Sequence, residues 1–519
     1  MRLAPFLLTT ALFAQQKEPE RASIEGSVLN AATGEAVRKA QVTMHIVPPT
    51  LGAPVSFTTD ANGKFSFTKL APGNYVMMVR HSSFEMVKLG IRPDGNMGEL
   101  IVLAPGESKT GFIVKMTPYG AIAGRVLDED GDPVKGLRID AMVWEYTARG
   151  RRLVEKRSAA TDDQGDYRVY DVLPGKYVLR VRPPDVTNAL SADETSFAPA
   201  FYPNGSDAQQ ASPVTLPAGQ QLRGLNFTLR RARLAAVRGR VIAPEGATQL
   251  MVELGVRTDG LRTSHGIRDP QGKFELYGVP PGSFTLTGSY RSGTRRFVVQ
   301  RPLEVGVQDI NGLELRPIPP VNFVGQVSIE GESKTKLSDV KVTFDASGDN
   351  YVERRVDRDG IFTSSGLEPD VWEVDAHAPD LYMKSIRWGT QDITKDGLLD
   401  LTGGVPATTE LEIVLGGDGG GVTGTVRNSK QEPAVGVVTL VPTNGSQWAH
   451  RYESTEQNGT FHLRGIPPGR YKLWAWDEVN RLAVMYDPDF LTPFQGDAIE
   501  IELRASEKKS QDLRLTVKK

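Results

Sequence analysis

The chain has no cysteine among its 519 residues. That absence excludes a disulfide framework, a bacterial lipoprotein linkage and a thiol nucleophile. Charge of one sign is lacking too: 61 Lys+Arg stand against 63 Asp+Glu, a net charge of −2. Neither nucleic acid nor an anionic membrane surface has an overall electrostatic footing on such a chain. No window offers about 18 consecutive apolar residues, so no transmembrane span is expected. Amphipathic helical periodicity longer than a turn or two is also missing. Without disulfides, stability must come from packing, which requires domains large enough to hold full cores.

What is present points to turn-rich β structure. Gly at 53 and Pro at 34 are frequent but fall short of low complexity. The length predicts about three to five domains at roughly 100–150 residues each. The N-terminus reads MRLAPFLLTTALFAQQ. Arg2 is a minimal positive start, residues 3–13 are apolar, and Ala14 is a small residue suited to cleavage. This predicts a secretory leader over residues 1–14, cut before Gln15 and too short to span a bilayer. The expected location is the periplasm, the cell surface or the extracellular space.

One unit recurs five times. An acidic turn ending in Gly stands at Asp60-Ala-Asn-Gly63, Asp162-Asp-Gln-Gly165, Asp269-Pro-Gln-Gly272, Asp357-Arg-Asp-Gly360 and Glu456-Gln-Asn-Gly459. Ten residues beyond each Gly lie Gly73, Gly175, Gly282, Asp370 and Gly469, each preceded by Pro. Two residues later comes an aromatic: Tyr75, Tyr177, Phe284, Trp372 and Tyr471. Another follows the turn Gly by two: Phe65, Tyr167, Phe274, Phe362 and Phe461. Each copy opens with Gly-x-Val, at Gly26, Gly124, Gly239, Gly325 and Gly424.

The acidic side chain can accept hydrogen bonds from turn amides, while the Gly supplies a positive φ. Period-2 alternation then starts, as in Lys64-Phe65-Ser66-Phe67, and Pro-Gly makes a second tight turn into the next strand. Each copy closes on another alternating stretch, such as Leu411-x-Ile413-x-Leu415 or Leu513-x-Leu515-x-Val517. Short strands at this density predict five antiparallel sandwiches, an all-β chain. Boundaries are expected at 21–117, 118–231, 232–320, 321–418 and 419–519. Pro317-Ile-Pro319-Pro320 has the composition of a stiff linker, and the glycine-rich run 416–421 that of a permissive one. Few contacts between domains are expected, so that unfolding of one unit stays local.

The pattern G-x-V, D-x-x-G-x-[FY], P-G-x-[YF] resembles the carboxypeptidase regulatory-like domain, a transthyretin-like sandwich. That family is related to collagen-adhesin B-type repeats and to the wider carbohydrate-binding-like fold. The first, second and fifth copies fit best; the third diverges before its turn, and the fourth has Asp370 where Gly is expected. The resemblance covers nearly all of the chain after residue 20. It implies the fold and hardly any function, since the domain is an accessory in most of its contexts.

Candidate chemistry is sparse. A zinc carboxypeptidase needs H-x-x-E and a distant His on an α/β scaffold. His450-Arg-Tyr-Glu453 has the local spacing but falls in a predicted strand, where i and i+3 point to opposite faces. Only 66 residues follow Glu453, too few for the rest of such a domain. His45, His81, His265 and His377 are isolated from one another along the sequence. No G-x-S-x-G elbow or phosphate loop appears. Asp128-Glu-Asp130-Gly-Asp132 alternates carboxylates, yet the twelfth position of an EF-hand counted from Asp128 is Ile139, which makes it a hairpin turn. The Lys–Asn isopeptide bond of adhesin domains would need a Lys in an opening strand; none is there, and Asn226 lacks a partner. No cofactor, metal or catalytic residue is therefore expected.

Two surfaces remain as candidates for ligand binding. In the last repeat Trp474 and Trp476 point away from the side of Tyr471, Leu473 and Ala475, and would form an apolar strip able to stack on sugar rings or a protein. Residues 482–494, with Tyr486, Phe490 and Phe494, offer an alternative: they would fold over the strip and bury it, which is the favoured outcome. In the second repeat an insertion over residues 183–206 carries Tyr202, either as a binding loop or as an ordered cover. The expectation overall is an exported, non-catalytic protein of the cell envelope, structural, adhesive or ligand-binding. Its partner would be a polysaccharide or an envelope or matrix protein, with carbohydrate binding as the alternative function.

Overall fold

The structure, a computed structural model, describes residues 20–91, 100–183, 195–256, 262–346, 350–404, 409–444, 447–456, 458–477 and 479–516. The expected leader over residues 1–14 and Val517 of the last closing strand lie outside the described residues. The fold is all-β, a tandem series of two-sheet sandwiches, and divides into two compact units, Met1–Tyr119 and Gly120–Lys519.

In the first unit, one sheet orders Lys64–Leu70, Ala22–Asn30 and Ser108–Met116. The other orders Val55–Thr58, Gln41–Val47, Gly73–His81 and Phe84–Leu89, with Ile101–Leu103 also paired to Gly73–His81. The alternation seen in sequence sends Ile24, Val42, Met44, Phe65, Met77 and Val114 into one core between the sheets. The second unit repeats this scheme around further cores, including one holding Tyr167 and Tyr177 and another holding Phe362 and Trp372. In the C-terminal repeat Leu513–Thr516 pairs with both Gly420–Arg427 and Gly469–Trp476, which joins the two layers into one eight-stranded sheet. Pairing is mostly antiparallel, but each closing strand runs parallel to its opening strand, as Ser108–Met116 does beside Ala22–Asn30, and Leu513–Thr516 also runs parallel to Gly469–Trp476. The closing strand enters from the other layer by a crossover, which permits parallel pairing where a tight turn would not.

Every fixed position of the repeat has a physical task. The opening Gly faces the aromatic that follows the turn, in the same register five times: Gly26 with Phe65, Gly124 with Tyr167, Gly239 with Phe274, Gly325 with Phe362 and Gly424 with Phe461. The ring occupies the space of the missing side chain. A Cβ on Gly325 would stand 2.1 Å from Phe362, and one on Gly26 2.6 Å from Phe65. The turn Gly adopts positive φ in each copy, between 69° and 86°, and its carbonyl accepts from the amide of the Val in Gly-x-Val, as in Val28 to Gly63 at 2.8 Å. Asp60 Oδ1 accepts the amides of Asn62 and Lys64 at 2.9 and 2.8 Å; Asp162, Asp269 and Asp357 do the same two and four residues on. The aromatic after Pro-Gly ties its own turn down. Tyr75, Tyr177 and Tyr471 donate to the carbonyls of Ala71, Leu173 and Pro467 at 2.7, 2.8 and 2.6 Å. Trp372 Nε1 donates to Glu368 in the same way.

Within Gly120–Lys519 the joints depart from the sequence-based expectation. Ile318 of the proline-rich joint is bridged to Val298 by two backbone hydrogen bonds of 3.0 Å. The glycine run is not a permissive linker. Its first residue ends strand Leu411–Gly416, Gly420 begins strand Gly420–Arg427, and side chains are missing because neighbours fill their space. A Cβ on Gly416 would meet the Tyr382 ring at 2.2 Å, and one on Gly419 the backbone of Asp380 and Gly465 at 2.9 Å. Gly465 in turn lies against the backbone of Leu381, and Trp448 packs on the core that holds Trp372. Composition alone cannot separate glycine chosen for freedom from glycine chosen for closeness. Here it is closeness.

Candidate functional site

The outward face of strand Gly469–Trp476 shows how the expected aromatic strip is used. Trp474 and Trp476 are 2% and 3% exposed. Of the two outcomes the sequence left open, the strip is covered, the favoured one, and it does not form the open ligand surface. Leaving two indoles in water would forfeit several kcal/mol of apolar burial, and the following segment supplies the cover. Asn480 caps the helix Arg481–Tyr486 by accepting the amide of Ala483, and a 3-10 turn spans Thr492–Asp497. Val484, Leu491 and Phe494 close over the indoles. Phe494 meets Trp476 edge-on at 5.0 Å. Both indole N–H groups are satisfied: Trp474 donates to Phe494 O at 2.9 Å and Trp476 to Thr439 Oγ1 at 2.8 Å.

Tyr202 is likewise part of a cover. It is half-buried, with its ring 5.8 Å from Phe227 and edge-on to it. Its neighbour Phe201 and Ala208 pack on Met142, Leu153 and Val178, on the outward face of strands Arg138–Thr147 and Gly175–Arg182. The same face holds Asp140, fully buried, which accepts from Arg180 at 2.6 Å and from Arg138 and Arg182 at 3.0 and 2.9 Å. The guanidinium groups of Arg180 and then Arg182 hold its carboxyl below the ordinary aspartate range against the cost of burial. Of the earlier insertion, residues 184–194 lie outside the described residues.

The remaining sequence candidates are spent on backbone. His450 Nδ1 contacts Gln447 O, and Glu453 accepts the amide of His462, so the pair does not converge. Asp128 Oδ1 accepts the amides of Asp130 and Asp132, forming a turn. Asn226 Oδ1 accepts the amide of Arg125 at 2.9 Å. Among the described residues no group of three His, Cys, Asp or Glu is placed to hold a metal ion.

One site escaped the sequence reading. On strand Val371–His377, Trp372, Val374 and Ala376 enter the core while Glu373, Asp375 and His377 take the other face. Strand Lys341–Ala346 places Asp345 directly beside Glu373. Onto this acidic face comes the helix Arg481–Tyr486, with Tyr486 Oη donating to Glu373 Oε1 at 3.1 Å. Arg149, at the turn of the hairpin Arg138–Thr147 and Gly150–Ala160, donates to Val371 O and lies 3.8 Å from Asp370 Oδ1. The helix also packs on strand Arg138–Thr147. Three repeats that are not all neighbours in sequence thus meet at one face. Burial pushes the Glu373 carboxyl above its ordinary range, with Asp345 and Asp375 adding to the rise while Tyr486 and Arg149 oppose it. Burial, and then the nearby Glu373, likewise push up the Tyr486 phenol. The signal was faint: Asp370, the one departure from Gly, and the acid-acid-His alternation after Trp372.

Residues 23–104 and 121–230 match the family model of the carboxypeptidase regulatory-like domain. No curated protein matches the chain. Among solved structures, a minor pilin of Streptococcus agalactiae is 13% identical, with 41% of this chain and 96% of the pilin covered at a TM-score of 0.22. A 3-chlorocatechol 1,2-dioxygenase of Rhodococcus opacus is 11% identical over 22% of this chain and 70% of its own, at a TM-score of 0.14. A candidate carbohydrate-binding protein from Bacteroides uniformis is 8% identical over 55% of this chain and all of its own, at 0.16.

Proposed function

We propose, from the premise that residues 23–104 and 121–230 are carboxypeptidase regulatory-like domains, that the protein is an exported, non-catalytic array of β-sandwiches serving a structural, adhesive or ligand-binding role in the cell envelope. The array has five members, bounded at 21–117, 118–231, 232–320, 321–418 and 419–519, behind a cleaved leader over residues 1–14. Its partner is a polysaccharide or an envelope or matrix protein. What supports this reading is where the repeated polar groups go. The turn carboxylates of the first four copies and the Tyr75, Tyr177 and Tyr471 hydroxyls bond to the chain's own backbone. Residues repeated at fixed spacing for that purpose specify a scaffold. Recognition through Trp474 and Trp476 is not part of the proposal, because both are covered.

The test joins fractionation to an array. Expressed with its leader in a bacterial host, the protein is expected outside the cytoplasm with Gln15 at its N-terminus. Purified, it should retain a glycan or an envelope or matrix protein on an array. Cytoplasmic retention with Met1 intact would reject export, and an array with no retained partner would leave only the structural role.

A further inference from the structure

In each repeat one strand ends the sheet that holds the strand after the Pro turn: Val55–Thr58, Gly150–Ala160, Arg262–Gly266, Asn350–Arg355 and Arg451–Ser454. Such an edge presents backbone N–H and C=O groups to which another chain can add a strand, and charged residues discourage the addition. Gly150–Ala160, Asn350–Arg355 and Arg451–Ser454 each carry both signs of charge, and Arg262–Gly266 opens on an arginine. Val55–Thr58 reads Val-Ser-Phe-Thr, without a charge, and all four residues are exposed. Among the described residues no strand pairs with its outer side. One edge of the five is left unguarded.

We propose that Val55–Thr58 pairs with the same strand of a second molecule of this chain, antiparallel about a two-fold axis through Phe57. The pairing does not depend on which partner the array binds. Val55 and Phe57 lie opposite Met44 and Val42, which enter the core. Their side chains therefore share the inner face, yet they are 47% and 37% exposed. Phe57 meets the core ring of Phe67 edge-on at 5.9 Å.

The backbone sets the register. The amide of Thr59 donates to Ala40 O at 2.9 Å. By the alternation of an antiparallel pair, Phe57 and Val55 also direct their backbone groups at Gln41–Val47, and Ser56 and Thr58 direct theirs outward. An axis through Phe57 sets Ser56 opposite Thr58 of the second molecule, twice, so every outward N–H of these residues meets an outward C=O. An axis through Ser56 would instead set Thr58 opposite Pro54, which has no N–H. The axis through Phe57 also brings the two Phe57 side chains together on the inner face, and cross-strand aromatic pairs favour pairing. This self-complementarity selects a second molecule over an unrelated strand. Four residues bury less than the about 1,200 Å² of a stable interface, so the pair is weak and depends on concentration.

The test is sedimentation equilibrium of the full chain up to about 500 µM, where a weak pair becomes populated. The wild type is expected to dimerise and Phe57→Lys to remain monomeric. Ser56→Pro removes an N–H that faces only the open edge, a position at which proline is tolerated. It should keep the wild-type circular dichroism and lose the dimer, which covers the case of a Phe57→Lys chain that fails to fold. Because the chain has no cysteine, single cysteines report the register. Ser56→Cys chains mixed with Thr58→Cys chains should form the mixed disulfide at least about fivefold faster than either forms its own, since opposite positions are closer than diagonal ones. A wild type that stays monomeric overturns the pairing, even if its edge takes up a synthetic peptide of alternating Val and Thr. So does a folded Ser56→Pro chain that dimerises like the wild type, or a Ser56→Cys chain that links to itself as fast as to Thr58→Cys.

Discussion

At the residue scale, the repeated positions were legible because each has a constraint that few side chains meet. The turn Gly needs positive φ, its acid needs to accept amides two and four residues on, and the opening Gly must leave room for a ring. The first two constraints belong to local chemistry and could be read from spacing alone. The third is a contact across strands, visible in sequence only as an unexplained invariant spacing. Gly26→Ala tests it. Its Cβ would stand 2.2 Å from Phe112 O and 2.6 Å from the Phe65 ring, so the substitution is expected to cost about 1–3 kcal/mol, as overpacking does. Urea denaturation followed by fluorescence would measure it; a neutral result would mean that the strands part without strain. Tyr177→Phe tests the anchor after Pro-Gly. It deletes the 2.8 Å bond to Leu173 O while keeping the buried ring and should cost about 0.5–1.5 kcal/mol. A loss of several kcal/mol would show that the hydroxyl does more than hold its turn.

At the scale of elements, strands were readable in detail and covers only as the more favoured of two outcomes. Alternation names the inward face of a strand with no reference to the rest of the chain. It leaves the outward face open, and there the outcome depends on what the following segment brings. For Trp474 and Trp476 the following segment brings Val484, Leu491 and Phe494, enough apolar surface to close the site. The aromatic content of residues 482–494 favoured this outcome in sequence, while a short helix and a 3-10 turn carry too little periodicity to give the cover's form. Trp476→Ala is therefore expected to destabilise its repeat by about 3–5 kcal/mol. Chemical denaturation of the full chain, with near-ultraviolet circular dichroism as the tertiary probe, would read the loss. A change below about 1 kcal/mol would mean that the cover rests on the strip without packing, and would reopen the binding surface.

At the scale of the whole molecule, the expectation of few contacts between repeats fails within Gly120–Lys519. Periodicity describes one sandwich at a time, so complementarity between sandwiches has no sequence signature of its own. The fourth and fifth repeats are locked by close backbone approach at Gly419 and Gly465 and by Trp448, which packs on the neighbouring core and donates to Thr394 O. A Cβ on Gly397 would stand 2.5 Å from the Trp448 ring, so that residue too is shaped to the indole. Packing this tight couples stability. The two repeats are expected to melt in one calorimetric transition rather than two, and Trp448→Ala should separate them. Each kcal/mol lost at the joint should lower the less stable repeat by about 2–4 °C in a body of this size. If the wild type already melts in separate steps that Trp448→Ala leaves unmoved, the joint contributes no coupling. In that case the glycine run acts as the spacer its composition first suggested.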